Sequence, residues 1–298
     1  MISRSAGAAA ALALITAAGT AGPALAARAA GSAAAAPATA SPAAIYPGNP
    51  LAPAGAVGRR EVAAAGAQSA PEAQATVSSG NWSGYAVSRD HVAYRYVRAT
   101  FFVPFLNCPQ SLGHPETYSS HWAGLDGFSS STVEQDGIEA DCVGATPSYH
   151  AWYEMYPMAE SRVGLAIRGG DSITATVSYS GSSRKFTLEV ADNTTGRHFS
   201  TAQKCKASRC ARNSAEVVSE SPATYDKNGN LVYLPLADYG AASFASIAIA
   251  ETAGGTGGLH SSHWNTTKIV QVDSANQLAA RPTAIQADTF DNYWYREG

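Results

Sequence analysis

Residues 149–157, Tyr-His-Ala-Trp-Tyr-Glu-Met-Tyr-Pro, leave this chain little choice of local structure. Aromatic side chains favour a pleated, half-buried surface, so the segment is predicted to be a strand. Period-two alternation sends Trp152, Glu154 and Tyr156 to one face and Tyr153 and Met155 to the other. A carboxylate between a tryptophan and a tyrosine is out of place on a solvated sheet. It suits the floor of a substrate groove.

The same period recurs along the chain. Residues 94–103 read as a strand ended by Pro104, and residues 171–179 alternate Ile173, Ala175, Val177 and Tyr179 with Ser and Thr. The turn Ser180-Gly181-Ser182-Ser183 leads into a strand at 185–190, which Asp192-Asn193-Thr194-Thr195-Gly196 closes. Residues 242–250 and 268–272 add further strands, and no amphipathic helical stretch of convincing length interrupts them. Short alternating runs between turn signals predict an all-β chain, a two-sheet antiparallel β-sandwich.

The first residues look like an export signal. Arg4 supplies the positive start, residues 8–18 an Ala/Leu-rich apolar run, and Ala24-Leu25-Ala26 a small-residue cleavage site, so residues 1–26 are assigned as a signal peptide. Residues 27–76 are Ala/Pro-rich with too little apolar area to offset ordering entropy, as expected of a propeptide or linker. Arg59-Arg60 within it is a candidate processing site. The remaining residues, 77–298, make one domain that carries every tryptophan: Trp82, Trp122, Trp152, Trp264 and Trp294.

A formal charge of -3 without a Lys/Arg cluster argues against nucleic acid as a partner. No membrane association is expected once the signal is removed, and a secreted monomer is the default. The four cysteines fit an oxidising compartment. Cys205 and Cys210 are close enough to staple a loop, which leaves Cys108 for Cys142, although the sequence permits three connectivities. The histidines are scattered and no HExxH or paired CxxC occurs, so neither a metal nor another cofactor is expected.

Hydrolysis needs a base or nucleophile and a donor for the oxyanion. There is no Gly-x-Ser-x-Gly elbow, no Asp-Thr-Gly or Asp-Ser-Gly pair, and no cysteine left over. What remains is carboxylates and one conspicuous amide. Residues 215–220, Ala-Glu-Val-Val-Ser-Glu, place Glu216 and Glu220 on one strand face, and Gln135 stands two residues before Gly137. Glu220 could serve as general base on water while Gln135 donates to the oxyanion.

Asn81-Trp82-Ser83-Gly84, Trp122-Ala-Gly-Leu-Asp-Gly, Gln135-Asp-Gly, Ala151-Trp-Tyr-Glu-Met-Tyr-Pro and Ala215-Glu-Val-Val-Ser-Glu together resemble the glutamic peptidases, or eqolisins, and their bacterial branch in particular. The resemblance runs in order through the whole of the domain. It implies a sandwich of two long antiparallel sheets, of concanavalin-like or jelly-roll type with a concave substrate groove, and an acid endopeptidase acting on polypeptides. It makes Gln135 and Glu220 the catalytic pair, with Trp122, Asp126, Trp152, Glu154 and Glu216 lining the groove. Asp126 and Glu154 would orient the pair and its water. Two departures stand out. Asp136 follows the glutamine where a small or neutral residue is usual, and the Ala-rich leader lacks the basic character that would mask an acidic site.

Taken singly, each residue has a plainer explanation: tryptophans belong in cores, and charges belong on solvated strands. Two other functional classes use the same residues. A glycosidase or carbohydrate-binding sandwich would employ two carboxylates, such as Glu154 and Glu220, and leave Gln135 dispensable. A catalytically silent binding domain could sit on the same scaffold.

Overall fold

The computed structural model describes residues 75–108 and 114–297. The expected signal peptide, the linker up to residue 74 and Arg59-Arg60 lie outside the described residues. Every regular element among the described residues is a strand. In chain order they are β1 (Ala75–Ser79), β2 (Trp82–Ser88), β3 (Tyr94–Phe102), β4 (Glu116–Thr117), β5 (Ser120–Leu125), β6 (Val133–Val143), β7 (Thr146–Tyr156) and β8 (Ser161–Arg162). Then follow β9 (Ser172–Ser180), β10 (Lys185–Asp192), β11 (Arg197–Gln203), β12 (Ser214–Glu220), β13 (Ala223–Tyr225) and β14 (Leu231–Tyr233). The last are β15 (Ala241–Glu251), β16 (Thr256–Gly257), β17 (Asn265–Val272), β18 (Leu278–Pro282) and β19 (Phe290–Trp294).

The pairings form two arcs. One runs β1-β17-β2-β12-β5-β6-β7-β8, antiparallel except for β1 beside β17. The other runs β11-β10-β9-β3-β15-β19-β18. Pairing of β17 with β18 joins them, and the hairpin β13–β14 stands apart. Alternation gives each arc one apolar face. Tyr85, Leu125 and Ile138 from the first arc meet Val97, Val177, Leu188 and Phe244 from the second in a single core. This is the all-β, two-layer architecture expected. Tyr85 of the first arc shows how the layers interlock, its ring meeting Phe290 of the second edge-on at 4.9 Å.

Both disulfides are as expected, Cys108–Cys142 and Cys205–Cys210. The first closes a loop of separation 34, and chain-entropy reasoning assigns such a loop roughly 4 kcal/mol of stabilisation. Replacing Cys108 and Cys142 together by Ala should therefore lower the unfolding free energy by roughly that amount in a urea titration. The loop at Cys205, with separation 5, should matter far less.

Candidate active site

The outward face of the first arc carries the polar residues that the motifs single out. Cross-strand register places Glu216, Gly124, Gln135 and Glu154 in one row across β12, β5, β6 and β7. The next row along is Val218, Trp122, Gly137 and Trp152, and the one after it Glu220, Ser120, Glu139 and His150. Directly paired residues share a face, so all of these point the same way. Asp136 points the opposite way, into the core, as alternation requires.

Two glycines clear the ground between the rows. A Cβ on Gly124 would sit 3.0 Å from both the Gln135 Cβ and the Trp122 ring, and one on Gly137 would sit 2.7 Å from the Trp122 Cβ. The indole of Trp122 occupies that space. Its Nε1 donates to Glu220 Oε2 at 2.9 Å, and the Trp82 ring meets it edge-on at 5.0 Å. Asn81 Nδ2 donates to the other oxygen of Glu220 at 3.0 Å. Ser79 Oγ donates to Asn81 Oδ1 at 2.9 Å and accepts from the Trp82 backbone N–H at 3.0 Å, which fixes the approach of that amide. Both carboxylate oxygens thus receive neutral N–H donors, the arrangement that favours an ionised acid.

Glu154 stands in the opposite situation. Gln135 Nε2 donates to its Oε2 at 2.6 Å, but its Oε1 has no hydrogen-bond partner, and burial pushes its carboxyl well above the usual range. The negative charge of Glu220 pushes it further the same way. Two buried carboxyls that sense each other do not both ionise readily. Here Glu220 has a donor at each oxygen and Glu154 at only one, which favours the charge on Glu220 and the proton on Glu154. Gln135, Glu154 and Glu220 are all fully buried. Two partly exposed phenols sense these carboxyls: Tyr233, pushed up to about 12 by burial and the charge of Glu220, and Tyr156, pushed up to about 12 by burial, its hydrogen bond with Tyr225 and, more weakly, Glu154.

Of the residues expected in the groove, Trp122, Trp152 and Glu154 surround the pair. Trp122 and Trp152 are fully buried in one cluster with Trp82 and Val218. Asp126 lies elsewhere, and Glu216 stands at the edge of this group. Simple alternation would have put Asp126 on the face of Trp122, but β5 ends at Leu125 and Asp126 adopts a left-handed φ of 73°. Its carboxylate turns away to accept the backbone N–H groups of Arg212 at 2.7 Å and Asn213 at 2.9 Å. Asp126 therefore anchors the segment that enters β12. Glu216 shares the row of Gln135, but the charge that bears on it is Asp126. With Glu134 it forms a buried acidic group at this end of the sheet, and burial raises the carboxyls of both.

Three contributors were not legible as site residues. Asn81 stood out as part of a motif, yet nothing in a linear pattern says that its amide reaches a residue 139 positions away. Tyr233 comes from the short hairpin β13–β14, whose sequence has no strong alternation. Glu139 is two rows from Gln135 on the same face, accepts from Ser120 Oγ at 2.6 Å, and has its carboxyl raised by burial. Period two along β6 would have found it. Among the described residues no group of three or more His, Cys, Asp or Glu is placed to hold a metal ion.

Residues 80–291 match the Peptidase A4 family. The fold matches that of scytalido-glutamic peptidase, solved with a transition state analog inhibitor, at a TM-score of 0.61 and 24% identity over 72% of this chain and 98% of that one. SCP-B, described as a member of the eqolisin family of peptidases and solved with the tripeptide Ala-Ile-His, matches at 0.58 and 22%, again over 72% and 98%. Aspergilloglutamic peptidase from Aspergillus niger matches at 0.50 and 21%, over 60% of this chain and 99% of that one. At such identities the likeness is one of fold. No curated protein sequence matches the chain.

Proposed function

As this chain belongs to the Peptidase A4 family and is a peptide hydrolase, we propose that Glu220 and Gln135 are its catalytic pair and that it is a secreted acid endopeptidase. The observation that carries the reading is the division of labour between two buried carboxyls, one given donors at both oxygens and the other at only one. Divided environments of this kind mark acid–base assignments.

Glu220, ionised, takes a proton from a bound water as that water attacks the scissile carbonyl. The Gln135 amide has two N–H groups. Its hydrogen bond to Glu154 orients the amide, which donates to the tetrahedral oxyanion. Glu220, now protonated, returns the proton to the leaving amine. Glu154, kept neutral, spares the oxyanion a second negative charge close by. Export is supported by the leader sequence and by the two disulfides. Polypeptides are the substrates, cleaved by a monomer.

The pH profile follows with its signs. Activity requires ionised Glu220, which sets the acid limb, and protonated Glu154, whose raised carboxyl sets the basic limb. Glu154→Gln fixes the neutral form and preserves an oxygen for the Gln135 amide. The variant should keep most of its activity and carry its basic limb to higher pH in a kcat/KM profile on an unfolded protein. A two-carboxylate glycosidase would instead lose its general acid. Loss of activity at every pH in a correctly folded Glu154→Gln protein counts against this division of roles.

A further inference from the structure

A cleft of about 1080 Å³ opens at the far end of β12 from Glu220. Three segments wall it: residues 88–93 between β2 and β3, residues 128–132 between β5 and β6, and Arg209, Ala211 and Asn213 ahead of β12. Each wall is fixed by its own contacts. Asp126 ties the second segment to the third through the backbone of Arg212 and Asn213, and Ser130 Oγ accepts from the Gly127 N–H at 2.9 Å. Arg89 is held to Glu251 at 3.0 Å, and the Cys205–Cys210 disulfide closes the loop that carries Arg209.

Phe128 connects this cleft to the catalytic face. Its ring packs against the cluster of Trp82, Trp122 and Trp152, and its backbone N–H meets Glu216, which lies in the row of Gln135. The β12 residue nearest the cleft is two positions from that row, and about 20 Å of extended strand separates it from Glu220. A scissile bond held between Gln135 and Glu220 is then roughly four extended residues from the cleft at ~3.3 Å each.

The charges in the cleft are uneven. Arg89, Arg209 and the imidazole of His91 face a single carboxylate, Asp90, and apart from the Phe128 ring the remaining walls are hydroxyl, amide or aliphatic. Arg89 is engaged by Glu251, whereas exposed Arg209 makes no ion pair or hydrogen bond among the described residues. We infer that the cleft is a distal substrate subsite that takes an acidic side chain, with Arg209 as the selecting cation. This rests on the peptidase reading above and deepens it.

The test uses one cleavable neutral peptide, with Glu or Lys placed in turn at each position three to five residues either side of the scissile bond. At pH 5 the Glu is mostly ionised. The wild-type enzyme should show a KM about three- to fivefold lower for Glu than for Lys at one such position, with kcat unchanged, the size expected of an exposed ion pair. Arg209→Glu should reverse the preference, so that at that position KM becomes lower for Lys than for Glu. Equal KM for Glu and Lys at all positions, or a preference that survives Arg209→Glu, overturns the inference without touching the catalytic pair. If wild-type enzyme cleaves none of the peptides, the catalytic reading fails instead. Binding of the same labelled peptides, by fluorescence anisotropy, then decides the subsite by itself.

Discussion

Glu220→Gln is expected to lower kcat/KM on an unfolded protein at least about 10³-fold, since an amide cannot take the proton from water or return it to the amine. The substitution preserves shape but not hydrogen bonding. Glu220 accepts from Asn81 Nδ2 through one oxygen and from Trp122 Nε1 through the other, and a glutamine offers only one oxygen. One donor must therefore meet an NH2 group, at a cost of about 1–3 kcal/mol. The variant should melt lower than the wild type yet remain folded in acid. Circular dichroism beside the kinetics separates the two effects. An inactive but folded protein locates the base at Glu220, whereas full proteolysis in this variant removes it from the mechanism.

A pH titration of stability should show a steep loss between mildly acidic and neutral solution. Glu134, Asp136, Glu139, Glu154 and Glu216 are buried with carboxyls raised well above their usual range, chiefly by burial, and Asp141 is raised to about 6. A raised carboxyl binds its proton more tightly in the folded chain than in the unfolded one. Its contribution is complete below the unfolded value and is lost as pH rises through the folded value. His121 works the other way: complete burial lowers it to about 3, so its contribution is present at neutral pH and is lost as pH falls from about 6.5 toward 3. One histidine opposes six carboxyls. Each carboxyl that stays protonated in the folded chain while it is ionised in the unfolded one lowers stability by about 1.4 kcal/mol per pH unit, so several acting together give a steep slope. The urea midpoint should therefore be highest in acid and fall as pH rises from the ordinary carboxylate range toward neutrality. A midpoint that is flat from pH 4 to 8 contradicts the protonated state of these acids.

The fold was legible because its longest strands alternate cleanly. The aromatic segment at 149–157 lies on β7, with Trp152 and Glu154 outward and Met155 in the core, and β9 and β10 follow the alternation and turns read from residues 171–196. The strand at 197–203 escaped notice because it is an edge. Only one face of β11 packs, chiefly through Phe199 stacked 5.8 Å from Tyr153, so its composition is that of a loop. At the site, period two assigns the face of every residue that stays within a strand, and it fails at Asp126, where the chain leaves β5 in a left-handed conformation. What alternation cannot supply is contact between distant segments. The Asn81 and Trp122 donors to Glu220 depend on the order β2-β12-β5, which no single strand encodes.

The measurement closest to the central claim is the kinetics of Gln135→Ala on an unfolded protein at acidic pH. Loss of an oxyanion donor should reduce kcat about 10²- to 10³-fold with KM little changed, in a protein that still folds. Wild-type kcat in Gln135→Ala would mean that the amide is dispensable and that two carboxylates, not a glutamine and a glutamate, carry the chemistry.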